Sequence, residues 1–380
     1  MALGQGLTDA TERLVVLCVN TGSSSLKCGL FETDGREERA LASIDIDGDQ
    51  FADHNAALGS ALDQLEARAL PAPAAAGHRI VHGGPDHVVH ARIDEHLLES
   101  LRKAVPFAPL HLPGAIAAIE AVEARYPGLA QVACFDTAFH AALPERVRRL
   151  PLPDALWDAG VRHYGFHGLS YEYVVAHVGA DTLGRAVVAH LGNGASLAAI
   201  RDGESIDTTM GFTPTGGIVM GTRSGDLDPG VMVYLLRQGD TDADALEQLI
   251  DRQSGLLALS GRTSDMRELL EVRGAEPRAA LAVEVFCYRV RLQIGAYAAA
   301  LGGLDTLVFT GGIGEHAAAI REEICLGLEH LGVQVDAGRN ARHDAVISPE
   351  NESCVVRVVR TDEDAMIARH TWELMKAATA

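Results

Sequence analysis

Val187-Val-Ala-His-Leu-Gly-Asn-Gly-Ala-Ser-Leu-Ala-Ala-Ile-Arg201, closed by Asp202-Gly203, is the stretch on which the fold turns. A β-rich run, Val187–Leu191, enters the loop Gly192-Asn193-Gly194-Ala195-Ser196, and a second run, Leu197–Arg201, leaves it toward the Asp-Gly pair. The same order stands near the start of the chain: Leu14–Val19, the loop Asn20-Thr21-Gly22-Ser23-Ser24-Ser25, Leu26–Glu32, then Asp34-Gly35. Asp-Gly between extended runs signals a hairpin, because its turn needs positive φ that these residues tolerate. Strand, phosphate-sized loop, strand and hairpin thus occur twice. The spacing is that of duplicated domains and differs from solenoid repeats of about 20–50 residues.

The 380 residues suffice for two packed domains of about 150–200 residues each, with a cleft between them. Pro151-Leu-Pro-Asp154 marks a break, so the expected domains are 1–150 and 151–365, with a C-terminal helix 366–380 returning to pack on the first. Helical periodicity runs through Leu58, Leu62 and Leu65 and through Ile116, Ile119 and Val122. Pro71 to Ala76 reads as a flexible connection. Ala280–Leu301 is apolar nearly all round apart from Arg289 and Arg291, which predicts a buried helix.

A formal charge of -20 gives a surface that repels nucleic acid and anionic membranes, so an anionic substrate must meet a local basic cluster. The six cysteines carry no CxxC spacing, and several sit in apolar runs where a thiol acts as a small hydrophobe. Met1 to Glu12 lacks a basic start followed by an apolar stretch, and Leu14–Val19 is too short to span a bilayer. The expected location is a reducing cytoplasm.

Four segments can carry chemistry. Asn20 to Lys27 offers backbone N–H groups, hydroxyls and an ammonium that can cradle phosphate oxygens. It is not a Walker A loop, and a plain hydroxyl-rich turn explains it equally well when taken alone. His190 to Gly194 supplies a second loop of that kind. Thr306–Thr310 reads as a buried strand entering Gly311-Gly-Ile-Gly-Glu315, with Ala317–Leu328 helical, an arrangement that suits a nucleotide. Without the GxGxxG fingerprint it is weak evidence. Met220-Gly-Thr-Arg-Ser-Gly-Asp-Leu-Asp-Pro229 sets one arginine among glycines, where its guanidinium either grips a carboxylate or phosphoryl group bidentately or pairs with Asp226 or Asp228 in a surface turn. Histidines cluster at His78, His82, His87, His90, His111, His140, His163 and His167 without metal-ligand spacing, which favours roles beside a phosphoryl group or as buried hydrogen-bonded residues.

Read in order, Asn20-Thr-Gly-Ser-Ser-Ser-Leu-Lys27, His78-Arg-Ile-Val-His-Gly-Gly84, Phe135-Asp-Thr-Ala-Phe-His140, Tyr164-Gly-Phe-His-Gly168, His190-Leu-Gly-Asn-Gly194, Met220-Gly-Thr-Arg223, Ser264-Asp-Met-Arg267 and Gly311-Gly-Ile-Gly-Glu315 resemble the acetate kinase family across nearly the whole chain. The resemblance implies an α/β, two-lobed, duplicated actin-like (ribonuclease H-like) ATPase fold, with mixed sheets flanked by helices and a central cleft. It also implies a homodimer and transfer of a phosphoryl group between ATP and acetate. Carried across, it makes Arg79 and Arg223 the carboxylate and phosphoryl clamps, His167 a protonated transition-state stabiliser and Asp136 the active-site acid. Asn20 and Glu363 would lie near Mg²⁺ (Mn²⁺ as a substitute). Lys27, His190, Leu191, Gly192, Asn193, Gly194, Asp265, Met266, Arg267, Gly312, Ile313, Gly314, Glu315 and His316 would form the ATP/ADP site. Val81, Leu110, Phe166 and Pro214 would surround the acyl methyl. The chain departs from the family's pattern at His111-Leu-Pro-Gly-Ala115, at Tyr171, where the family has histidine, and at His316, where it has asparagine.

The chemistry is consistent with that set. A carboxylate with a pKa of about 4–5 is already ionised at neutral pH and needs no general base. Phosphoryl transfer then depends on in-line positioning and on cations that stabilise charge on the equatorial oxygens. Propionate or butyrate kinase would differ only in pocket volume. An ATP-gated binding protein of the Hsp70 type would share the lobes but carry a peptide-binding module, for which no residues remain after the second lobe.

Overall fold

The computed structural model describes residues 13–22, 25–47, 54–239 and 241–377. Ser23 and Ser24 of the first loop, Met1 to Glu12, and residues 378–380 of the expected C-terminal helix lie outside the described residues. The chain divides into two compact units, Met1–Ala138 with Asp362–Ala380, and Phe139–Thr361.

In the first unit, β1 (Leu14–Thr21), β2 (Ser25–Thr33), β3 (Glu38–Asp47), β4 (Ala75–Ile80), the two-residue β5 (Ala91–Arg92) and β6 (Gln131–Phe135) form a mixed sheet in the order β3-β2-β1-β4-β6-β5. β1 to β3 are antiparallel, whereas β4 runs parallel to β1 and β6 parallel to β4. In the second unit, β7 (Arg185–Leu191), β8 (Ala195–Arg201), β9 (Glu204–Thr208), β10 (Thr306–Thr310) and β11 (Val355–Val358) lie in the order β11-β10-β7-β8-β9. Here too the first three are antiparallel and the last two join in parallel. The duplication read from the two hairpins therefore extends to the sheets.

The hairpins follow from their turn residues. Asp202 and Gly203 both hold positive φ, 55° and 79°, the pairing that matches strand twist in a tight hairpin. At the other turn, Asp34 Oδ1 accepts from the N–H groups of Arg36 and Glu37 at 3.0 Å, and only Gly35 is left-handed.

The periodic helices bury the expected faces. Leu58, Leu62 and Leu65 of helix His54–Glu66 pack in one core with Leu17, Val19 and Leu26 of the sheet. Helix Glu363–Ala377 packs on β1, β4 and β6. Gly77 of β4 permits that approach, since a Cβ there would fall 2.3 Å from Thr371 Oγ1 and 2.5 Å from Ile367 Cγ2.

Several local expectations differ. Pro151–Pro153 is not where the units part: it is a turn within the second, where His163 N–H donates to Arg148 O at 2.8 Å and Pro153 precedes the short helix Asp154–Asp158. Ala75 and Ala76, read as part of a flexible connection, are fully buried in β4. Gly311–His316 is a helical turn rather than an open loop. Helix Pro277–Leu301 buries Phe286, Val290 and Ile294 but leaves Leu281, Tyr288 and Leu292 about half exposed, so its apolar character is not spent within its own unit.

Candidate active site

In the first unit, strand register builds a charged cluster. Asn20 near the end of β1 is the cross-strand partner of Lys27 on β2. Arg79 near the end of β4 lies beside β6, and Asp136, just past β6, is fixed by its N–H donating to Ile80 O at 2.9 Å. Arg79 grips Asp136 bidentately, Nε to Oδ1 at 2.9 Å and Nη2 to Oδ2 at 2.7 Å. Its Nη1 donates to Asn20 Oδ1 at 3.1 Å and lies 3.7 Å from Glu363 Oε2. Burial alone would favour the neutral guanidine, but the Asp136 and Glu363 carboxylates override it and keep Arg79 firmly charged. Asp136 is 1% exposed, so it is placed to orient Arg79 rather than to meet solvent.

The first turn of helix Glu363–Ala377 closes this cluster, where the helix N-terminus favours carboxylates. Asn20 Nδ2 donates to Glu363 Oε2 at 3.1 Å and to Asp364 Oδ1 at 3.2 Å. Asp364 Oδ2 lies 3.1 Å from Lys27 Nζ. Burial pushes the Asp364 carboxyl above its usual range despite the Lys27 and Asn20 partners. The oxygen set of Asn20, Glu363 and Asp364 is the hard-donor chemistry that Mg²⁺ takes. Asp364 Oδ2 is held by Lys27 at 3.1 Å, so the half-buried Glu363 is the carboxylate of the set that such an ion could reach. Lys27 stands with this cluster in the first unit.

In the second unit, His167 sits at the N-terminus of helix Gly168–Val178 with left-handed backbone, φ 60° and ψ 26°. The preceding Gly165, φ 83°, packs flat against His140, whose ring a Cβ would meet at 2.5 Å. His140 is buried, 2.7 Å from Ser205 Oγ and 3.1 Å from Phe166 O. Burial holds it neutral, its pKa lowered to about 4. His167 stacks on His190 of β7, ring centroids 4.3 Å apart, and its Nδ1 lies 2.8 Å from Ser196 Oγ. His190 and Ser196 are cross-strand partners in β7 and β8, which places both on one sheet face. Ser170 Oγ lies 2.7 Å from His190 Nδ1.

Arg223 reaches the same place. Its Nη1 donates to Pro214 O at 3.2 Å, and a Cβ on Gly194 would lie 3.3 Å from that Nη1 and 3.4 Å from His167 Nε2. Asp226 and Asp228, the alternative partners for Arg223, accept from the N–H groups of Gly217 and Gly230. Gly221 lies against Asn193, where a Cβ would fall 2.1 Å from Oδ1. The arginine loop and the Gly192–Gly194 loop are thus one packed assembly.

Beside it is a cavity of about 530 Å³ whose walls include Gly192, Asn193, Asp265, Arg267, Gly312 and His316. Three segments separated by long stretches of sequence converge there, with Met266 and Ile313 also in its lining. Leu191 is fully buried in β7, and Gly314 is buried against Phe309. Glu315 Oε1 accepts from Gly311 N–H at 3.1 Å and Thr361 N–H at 3.3 Å, bracing the turn instead of lining the cavity. Arg321, fully buried, donates from Nη1 to the carbonyls of Gly314 and Glu315 and from Nε to Asn340, which fixes the end of that turn.

The profile of the acetokinase family matches residues 15–369. The chain belongs to the acetokinase family. It is 40% identical to an acetate kinase of Coprothermobacter proteolyticus, over 96% of this chain and 100% of that protein. It superimposes on the crystal structure of Porphyromonas gingivalis acetate kinase with a TM-score of 0.84 at 36% identity, covering 95% of this chain and 100% of that one. A propionate kinase from Francisella tularensis gives the same TM-score, 0.84, at 35% identity, with 95% of this chain and 100% of that one covered.

The acetokinase departures have local explanations. Leu112 and Ala115 replace two amides, and both are buried in the core around Ile80, Leu101 and Phe135. Val81 is buried and Leu110 half-buried in the first unit, while Phe166 and Pro214 are buried in the second. Three site residues escaped sequence reasoning. Asp364 stands unassigned beside Glu363, Ser170 carries no motif, and Ser196 is read only as the last residue of the Gly192 loop. The signal for Ser196 was its register opposite His190.

Proposed function

We propose that this chain transfers the γ-phosphoryl group of ATP directly to acetate, giving acetyl phosphate and ADP, and catalyses the reverse. The observation that carries the proposal is the cavity where the Gly192, Asp265 and Gly312 segments meet, in the same unit as the paired nitrogens of His167 and Arg223 beside Gly194. The cavity takes the nucleotide. Arg223 and Arg79 stabilise the transferring and acyl oxygens as fixed charges, and Asp136 orients Arg79 rather than acting as an acid. Charge of this kind, in place before the reaction, is the dominant source of rate in phosphoryl transfer. Glu363 and Asn20 would hold Mg²⁺, which when bound would neutralise phosphate charge. Val81, Leu110, Phe166 and Pro214 accommodate the acyl methyl. Incubating the purified chain with ATP, Mg²⁺ and acetate and trapping acetyl phosphate as its hydroxamate tests this directly. Absence of product with any short carboxylate would refute it, and a higher specificity constant for propionate would move the chain toward the propionate kinases.

The active form we infer is a homodimer. Half-exposed Leu292 lines a groove of about 540 Å³ with Leu227, Leu259 and Val285, and its helix also leaves Leu281 and Tyr288 half exposed. Exposed apolar area of this kind favours a partner surface. Sedimentation equilibrium should give twice the chain mass, and a single-chain mass would exclude the dimer. All six cysteines are free and buried, which suits a reducing cytoplasm, and no helix among the described residues is long and apolar enough to cross a membrane.

A further inference from the structure

Helix Gly168–Val178 carries a hydroxyl that the transfer chemistry does not itself require. Tyr171 is fully buried, and its phenol oxygen lies 2.5 Å from Ser196 Oγ, which is its hydrogen-bond partner among the described residues. Ser196, equally buried, has one further side-chain partner, His167 Nδ1 at 2.8 Å. These three groups form a closed chain whose protons can be counted.

A buried O–H with no acceptor costs about 1–3 kcal/mol. If Ser196 donated to Tyr171, the phenol proton would be stranded, so Tyr171 is the donor. Ser196 then still has its own proton to place. If His167 Nδ1 carried hydrogen, that serine proton would be stranded instead, so Nδ1 is the acceptor. A neutral imidazole has one N–H, which must then sit on Nε2. Burial pushes the Tyr171 hydroxyl above the ordinary tyrosine range, so it remains a donor.

Nε2 is the nitrogen that faces Gly194, alongside Arg223 Nη1. On its ring face, His167 is stacked by His190 at 4.3 Å. Two imidazolium rings at that separation repel, and Arg223 already brings a positive charge to the same spot.

We infer that Tyr171 and Ser196 are positioning residues that hold His167 as its neutral Nε2–H tautomer, presenting a hydrogen-bond donor beside Arg223 in place of an imidazolium. This replaces the protonated His167 expected from sequence. The kinetic part rests on the proposed role of His167 at the transferring group, whereas the tautomer is a property of the free protein and stands apart from it.

The test uses the full chain labelled with ¹⁵N-histidine, in which long-range ¹⁵N–¹H correlations distinguish the two neutral tautomers and the cation. His167 is assigned by the signal lost in His167→Asn. The parent at neutral pH should show protonated Nε2 and bare Nδ1. Tyr171→Phe should give a mixture of tautomers and a kcat lowered at least ~10-fold, with KM for ATP and acetate within about twofold, since neither substrate site has lost a contact. Tyr171→His should recover much of kcat, because a ring N–H can donate to Ser196, whereas a purely structural role for the phenol would leave both variants impaired. An Nδ1–H tautomer or an imidazolium in the parent overturns the inference without touching the kinase assignment. A tautomer that shifts in Tyr171→Phe while kcat does not would overturn its kinetic half.

Discussion

Asp136→Asn separates a positioning carboxylate from an acid. In the parent, Asp136 accepts from Arg79 Nε at 2.9 Å and Nη2 at 2.7 Å while 1% exposed. Asparagine keeps one carbonyl oxygen but turns an NH₂ group toward a guanidinium N–H, so donor meets donor. Removing one partner of a buried ion pair costs about 3–5 kcal/mol when the remaining charge is stranded. Arg79 is not wholly stranded, because Asn20 Oδ1 at 3.1 Å and Glu363 Oε2 at 3.7 Å remain. The stability loss should therefore fall nearer about 2–4 kcal/mol. The guanidinium would lose its fixed direction, and a misdirected preorganised charge should lower kcat by about 100-fold.

Hydroxamate trapping at saturating ATP and acetate measures the kinetic effect, and urea unfolding measures the stability effect. A double-mutant cycle decides the mechanism. If Asp136 acts through Arg79, Asp136→Asn should cost little further kcat in an Arg79→Ala background, because contacting residues are coupled. If the two losses multiply instead, Asp136 has a role of its own and the positioning argument is wrong.

Gly221→Ala should raise KM for ATP at least ~10-fold and leave that for acetate nearly unchanged, since a Cβ 2.1 Å from Asn193 Oδ1 must displace the nucleotide loop; calorimetric ATP binding equal to the parent's would contradict this. Glu363→Ala should raise the Mg²⁺ concentration needed for half-maximal rate more than KM for acetate, and superimposable magnesium titrations would remove Glu363 from the metal site. Val81→Ala should shift preference toward propionate and butyrate by about 1–3 kcal/mol per methylene accommodated, read from specificity constants with ATP kinetics unchanged. Stability should fall as pH drops below 6.5: His78 and His140, ordinarily titrating at 6.5, are held by burial at about 4, so the unfolded chain binds more protons between those values. Thermal melts from pH 7 to 4.5 should show this decline, and His140→Gln should flatten it.

The duplicated architecture was legible because it rests on local chemistry. Asp-Gly turns, short β-rich runs and a glycine loop each announce themselves within a few residues, and the sheets bear out their repetition. The boundary between units was not legible, because proline marks a turn whether or not a domain ends there, and Pro151–Pro153 ends none. The exposed face of helix Pro277–Leu301 was missed for a related reason. An all-round apolar pattern says that a surface is covered, and it is silent on whether this chain or another covers it.

Within the site, glycines and charged residues could be read one by one, but their partners could not. Arg79, Asp136, Asn20 and Glu363 come from four distant segments, and only strand register and a returning helix make them one cluster. The consequence reaches the chemistry. A sequence presents His167 as a bare titratable ring, for which protonation is the simple route to stabilising phosphate charge. The fold adds Ser196 from the opposite strand and Tyr171 from one turn along the helix, and the proton count of those two hydroxyls favours a neutral donor. Tyr171 is also where the chain departs from its family's usual histidine, and the phenol retains a donor to Ser196. What that residue must conserve is therefore an N–H or O–H directed at Ser196, and a phenylalanine of nearly the same shape should fail where histidine succeeds.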